Sequence, residues 1–165
     1  MWLHERIRKE EWLMKTKMDA TNRAIVKQLS GDGRKPFSAI SNALGITENT
    51  VRTRVAKLTE DGTMQITSLV NPEMLPGGQL VIMGVKLNTM DLESKAKEFL
   101  KLRGVMNVVV VTGRFDLIVQ VLLSEEKGLS LLEFFKEELD SIQGVSEVET
   151  FVVYQSYNYW LNYNL

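Results

Sequence analysis

Residues 44–58 read LGITENTVRTRVAKL. Gly45 permits a tight turn after an apolar residue, and Thr47 can cap a new helix through its hydroxyl. From Glu48 the apolar residues recur as Val51, Val55 and Leu58, one face of an α-helix that runs to about Glu60. At 100° per residue, Asn49, Thr53, Ala56 and Glu60 fall on the opposite face, with Thr50, Arg52 and Lys57 on its flanks. A short helix precedes the turn: Pro36 opens it, and Phe37, Ile40, Ala43 and Leu44 recur at helical spacing. Two short helices joined by a glycine turn predict a helix-turn-helix.

The pattern extends outward. Asp19 can cap an earlier helix through Arg23, Ile25, Val26 and Leu29, which Gly31-Asp32-Gly33 stops. Gly62 closes the third helix. Thr63–Val70 alternates weakly and is expected to form a short strand or hairpin, a wing. In such a unit the second helix of the motif enters the major groove of double-stranded DNA by its N-terminal turn. Asparagine there favours adenine and arginine favours guanine, while Arg52 and Lys57 can hold phosphates. The candidate DNA-contacting set is Ser38, Thr47, Asn49, Thr50, Arg52, Thr53 and Lys57. Arg54 lies nearer the apolar stripe and is expected to snorkel or to pair with a carboxylate.

Charge agrees with this division. Residues 1–70 hold 12 Lys+Arg and 8 Asp+Glu, and residues 71–165 hold 8 and 13. The basic half faces a polyanion more readily. Cysteine is absent and histidine occurs once, at His4. Disulfides, thiolate metal sites and histidine-based triads are thereby excluded. No nucleophile–base pair, metal set or phosphate loop is visible, so an enzyme is not expected, nor a cofactor. No apolar run approaches a membrane span and no signal peptide is evident. The expected location is the cytoplasm.

Asn71-Pro72-Glu73-Met74-Leu75-Pro76-Gly77-Gly78 breaks the pattern and is expected to be a linker. After it the order is strand (Gln79–Leu87), helix (Asp91 to about Arg103), strand (Val105–Val111), strand (Leu117–Leu123), helix (about Glu125 to Ile142) and strand (Val145–Tyr154). That is a βαββαβ, ferredoxin-like arrangement within an α+β chain. The last helix should bury Leu129, Leu132, Phe135 and Leu139. Its acidic residues Glu125, Glu126, Glu133, Glu137, Glu138 and Asp140 then form a solvated face. Helices on one side leave the other face of the sheet for a second subunit.

The turn Thr112–Asp116 admits two readings. Gly113 can serve a plain hairpin, with Asp116 capping backbone amides. Alternatively Arg114 meets the carboxylate and Asp116 the ammonium group of a zwitterionic ligand, with Thr150 lining the same cleft.

Several of these pieces, in this order and spacing, resemble the Lrp/AsnC (leucine-responsive, feast/famine) family of transcription factors. They are Asp19…Arg23-Ala24-Ile25…Leu29, Asp32-Gly33-Arg34, Leu44-Gly45-Ile46-Thr47, Val51–Leu58 with Gly62, Val111–Asp116, and Gly144-Val145 followed by Thr150–Val153. The resemblance spans Met18 to about Tyr154. It implies a winged helix-turn-helix followed by an ACT-like ligand-sensing domain. It also implies dimers formed by packing sheets together, assembly of dimers into octamers, and amino-acid effectors bound between dimers near the turn Gly113-Arg114-Phe115-Asp116. The expected organisation is an N-terminal, partly helical extension (1–18), the DNA-binding unit (19–70), a linker (71–78), the sensing and oligomerisation domain (79–155) and an aromatic tail (156–165). Departures from the family pattern are Asn22 in place of a frequent Asp, Met64 and Ile66 in the wing, residues 1–17, and the tail. Two rival readings keep parts of this scheme: an amino-acid-sensing interaction module that binds no DNA, and a sequence-tolerant architectural DNA binder.

Overall fold

A computed structural model of the chain describes residues 18–162. The predicted N-terminal arm, apart from Met18, and the end of the tail lie outside those residues. Two compact units divide between Thr67 and Ser68.

The first unit holds three helices: α1 (Ala20–Gly31), α2 (Phe37–Leu44) and α3 (Glu48–Glu60). Each begins where the sequence supplies a start signal. Asp19 accepts the Asn22 N–H at 2.7 Å, Pro36 precedes α2, and Thr47 Oγ1 accepts the Thr50 N–H at 3.1 Å. Gly45 ends α2 with φ 65°, a left-handed conformation that costs glycine little, and its N–H closes onto the Ser41 carbonyl. Ile25, Leu29, Ile40, Val51 and Val55 form the core, with Phe37, Leu44, Ile46 and Met64 packed at its edge.

The expected wing is replaced by an irregular segment. Thr63–Ser68 carries no strand. Asp61 accepts the Thr63 N–H, the Met64 N–H bonds the Leu58 carbonyl, and Met64 packs on the core. The strand-forming residues Leu69–Val70 (β1) pair elsewhere, with Leu161–Asn162 (β6) of the second unit.

The remaining strands of the second unit are β2 (Gly78–Leu87), β3 (Val105–Val110), β4 (Leu117–Ser124) and β5 (Val145–Val152), joined in the order β3-β4-β2-β5 with every pair antiparallel. Helix α4 (Leu92–Phe99) joins β2 to β3, and Asp91 caps it. This is the expected ferredoxin-like arrangement. Val81, Met83, Val85, Leu117, Val119 and Val121 face the helices and pack with Phe99, Phe134 and Leu139.

Two expectations need correction. The linker is largely structured: Asn71 caps a 3₁₀ turn over Pro72–Met74, and β2 already begins at Gly78. The single long helix from Glu125 is interrupted. A 3₁₀ turn (Glu125–Lys127) ends at Gly128, whose φ is 64°. Ser130 then restarts the helix with a capping box to Glu133, giving α5 (Leu131–Glu133), a π-helical stretch (Phe134–Glu138) and a 3₁₀ turn (Leu139–Ser141). The shifted phase buries Phe134 and turns Leu132 outward. The wider π turn also lets neighbouring Glu137 and Glu138 both reach Arg103, at 2.9 Å and 3.2 Å.

Candidate functional site

In α3, Val51, Val55 and Leu58 are buried, and burial of that stripe turns Asn49, Arg52, Thr53 and Lys57 to the outside. Ser38 is exposed at the start of α2. Thr47 and Thr50 are partly used by the cap itself: their hydroxyls lie 2.8 Å apart. Lys57 makes no ion pair among the described residues. Arg52 is held: its Nη2 lies 2.8 Å from Glu48 Oε1, and its guanidinium carbon sits 5.5 Å from the centre of the Phe37 ring.

Arg54 takes the pairing alternative. Its Nη1 donates to Asp19 Oδ2 at 2.6 Å and to Asn22 Oδ1 at 2.8 Å. Asp19 therefore caps α1 with one oxygen and anchors α3 with the other. The Arg54 guanidinium, aided by the Asn22 backbone N–H, holds the Asp19 carboxyl below the usual carboxylate range. Asn22 thereby supplies Arg54 with a neutral acceptor beside the carboxylate.

The turn between β3 and β4 is locked from within. The Val111 N–H bonds the Asp116 carbonyl, and the Asp116 N–H bonds the Val85 carbonyl. Gly113 has φ 126°. Both carboxylate oxygens of Asp116 are engaged: Oδ2 accepts the Leu87 N–H at 2.8 Å and Oδ1 accepts Lys86 Nζ at 2.9 Å. The backbone N–H first, and then the lysine, depress its pKa. Phe115 lies flat on Gly84, where a Cβ would stand 2.5 Å from the ring. Arg114 lies over the Phe115 ring and pairs with Glu149 at 2.9 Å and Glu147 at 3.6 Å.

Within one protomer these groups do not assemble the expected zwitterion site. Asp116 serves the backbone and Lys86, the capping role. Thr150 stands opposite Met83, whose side chain is in the helix-covered core. Paired residues share a face, so Thr150 lies on the far side of the sheet from Phe115. Sequence reasoning missed Lys86, Glu149 and Gly84 as parts of this turn. The available signal was Gly84 itself, since a glycine inside an apolar strand marks a close approach.

The sheet face opposite the helices carries Ile82, Val109, Ile118 and Phe151, of which Val109 and Phe151 are about half exposed. Gln120 lies among them, accepting from Asn107 Nδ2 at 2.7 Å and from the Tyr159 hydroxyl. Burial pushes the Tyr159 phenol up. Among the described residues no group of acidic or histidine side chains could hold a metal ion, and no helix is long and apolar enough to cross a membrane.

Residues 18–59 match the AsnC-type helix-turn-helix domain and residues 80–159 the Lrp/AsnC ligand binding domain. The HTH-type transcriptional regulator FL11 of Pyrococcus abyssi is 30% identical over 145 residues, covering 87% of this chain and 94% of the relative. Its Pyrococcus horikoshii namesake is 28% identical over the same shares. Among solved structures, AsnC of E. coli is similar with a TM-score of 0.66 at 21% identity, over 84% of this chain and 93% of that one. A Neisseria meningitidis transcriptional regulator in complex with L-methionine gives 0.67 at 20% identity, over 88% and 96%. Both halves of the chain thus match one family, and the chain belongs to it: the Lrp/AsnC family of helix-turn-helix transcription regulators, which bind DNA and are not enzymes.

Proposed function

We propose that this protein binds DNA sequence-specifically through α3, acts as a homo-oligomer, and answers to a small effector such as an amino acid. The exposed row Asn49, Arg52, Thr53 and Lys57 on a capped, core-anchored helix carries the reading. Asn49 and Thr53 face base edges, and Lys57 faces phosphate. Ser38, Thr47 and Thr50 border the same surface.

The half-exposed apolar residues Val109 and Phe151 support sheet-to-sheet pairing of two copies, and dimers can then gather into octamers. For the effector, Arg114 is the accessible cation of the turn, and a ligand carboxylate competes for it with Glu149. Gly113 and Phe115 shape the turn, and Asp116 holds it. Thr150 joins such a site only if a second copy brings another face to it.

Full-length protein, titrated with randomised and selected duplexes over a range of salt, tests the DNA reading. Preference for selected DNA supports it. Equal affinity for all duplexes favours an architectural binder, and no DNA binding favours a sensing module. Sedimentation of wild type and Ile118→Glu tests the sheet pairing, with the variant expected to dissociate. Calorimetry with each amino acid, repeated on Arg114→Ala, tests the effector site.

A further inference from the structure

Arg52 is arranged unlike a side chain that waits for a phosphate. Glu48 is the first residue of α3 and Arg52 stands one turn later, with the two side chains about half and three-fifths exposed. An exposed i,i+4 pair contributes little to stability, so stability does not account for the arrangement. What the pair fixes is orientation. The guanidinium is hooked by Glu48 Oε1 at 2.8 Å and rests against the Phe37 ring. Phe37 is itself half-buried against the core, so the platform is firm. The rotamer freedom of a long side chain is thus restricted before any DNA arrives.

The chemistry of the pair points to bases. A carboxylate beside the guanidinium repels a phosphate, and the two groups together carry no net charge. In the major groove guanine offers acceptors at O6 and N7, and cytosine offers the N4 amino donor. Glu48 uses one of the five arginine N–H donors, which leaves enough for a two-bond contact with guanine. The two head groups are 2.8 Å apart, less than the rise of about 3.4 Å between base pairs. Both therefore fall on one base pair or on adjacent ones.

We infer that Glu48 and Arg52 form a single reading unit for a G·C base pair, with Arg52 on guanine, Glu48 on the cytosine amino group and Phe37 as the platform. The inference rests on the DNA-binding reading above and changes the part played by Arg52 from backbone holder to base reader.

Selection of full-length protein on a randomised duplex pool tests it, with wild type, Arg52→Met and Glu48→Gln compared. Salt dependence is measured in parallel on one generic duplex. Wild type is expected to enrich a fixed G·C pair. Arg52→Met should lose discrimination at that pair by about ten- to a hundredfold and Glu48→Gln by a smaller factor, with the salt slope of Arg52→Met unchanged. All three should melt alike, because the pair is exposed. Enrichment that survives both substitutions overturns the inference, as does a slope lowered by about one in Arg52→Met with base preference intact. Wild type that enriches no sequence, while still binding the generic duplex, overturns the sequence-specific reading itself. Failure of that reading and failure of the inference are thus told apart.

Discussion

The two units solve the same problem with different means. Among the described residues, the helical unit buries six apolar side chains and the sheet unit sixteen. A small core leaves a unit marginal, so more falls to its ends and edges. In the helical unit those are the Asp19 and Thr47 caps, the glycine turn and the Arg54 clamp. The sheet unit rests on packing, and its polar groups lock one turn. The candidate site residues follow the same division. Asn49, Thr53 and Lys57 of α3 stand clear of the fold they depend on, whereas Asp116 and Arg114 are tied into theirs.

The sharpest break of this contrast is a cavity in the smaller core. Ile25 is fully buried, and Ile25→Ala should cost about 2–5 kcal/mol. Calorimetry should show the helical transition lowered or lost and the sheet transition unmoved, with DNA binding gone. The opposite insult is overpacking the larger core. Gly104 has φ 81°, and a Cβ there would stand 2.6 Å from Leu129 Cδ2 and 2.9 Å from the Leu122 carbonyl oxygen. Gly104→Ala should cost about 1–3 kcal/mol and lower the sheet transition alone.

Subtler changes sharpen the contrast between position and contact. Asp19→Asn keeps a capping oxygen and removes the charge that anchors Arg54. The pair is partly exposed, so stability should fall by only about 0.5–1 kcal/mol. DNA affinity should fall a fewfold with the salt slope unchanged. Lys57→Ala should instead lower that slope by about one.

The smallest effect is in acid. The Asp116 carboxyl is held below its ordinary value, so its contribution is present at neutral pH and is lost as pH falls through the depressed value. Melting temperatures between pH 6 and pH 2 should show the sheet unit weakening below about pH 4, the ordinary carboxylate range. Asp116→Asn should flatten that limb.

Much of this was legible in the sequence because local signals and long-range packing agreed. Asp19, Thr47, Gly45 and Asp91 each sit where a helix begins or ends, and the apolar stripe of α3 lies on its buried side. The last helix departs from the stripe that begins at Glu125 because the capping box resets the start at Ser130 and the π stretch shifts the phase. The wing is absent because Leu69 and Val70 are strand formers whose partner lies far along the chain, which no local pattern reveals. The turn residues Gly113–Asp116 were legible as a turn. Their partners Lys86, Leu87 and Glu149 come from other strands, so the occupied state of Asp116 was not.

The β1–β6 ribbon has a consequence for the order in which the molecule takes shape. The helical unit closes through neighbouring turns of one short stretch, and its core needs no sheet residue. The sheet unit must wait: β2 is held on one side by β5, and the Ser156–Glu73 link that flanks the ribbon joins positions 83 residues apart. Closures of that span form late and slowly. On the ribosome, where the N-terminal part folds first, α3 therefore meets its packing partners while the sheet still lacks its edge strand β5. A nascent chain thus completes the core beneath α3 before it can close its sheet.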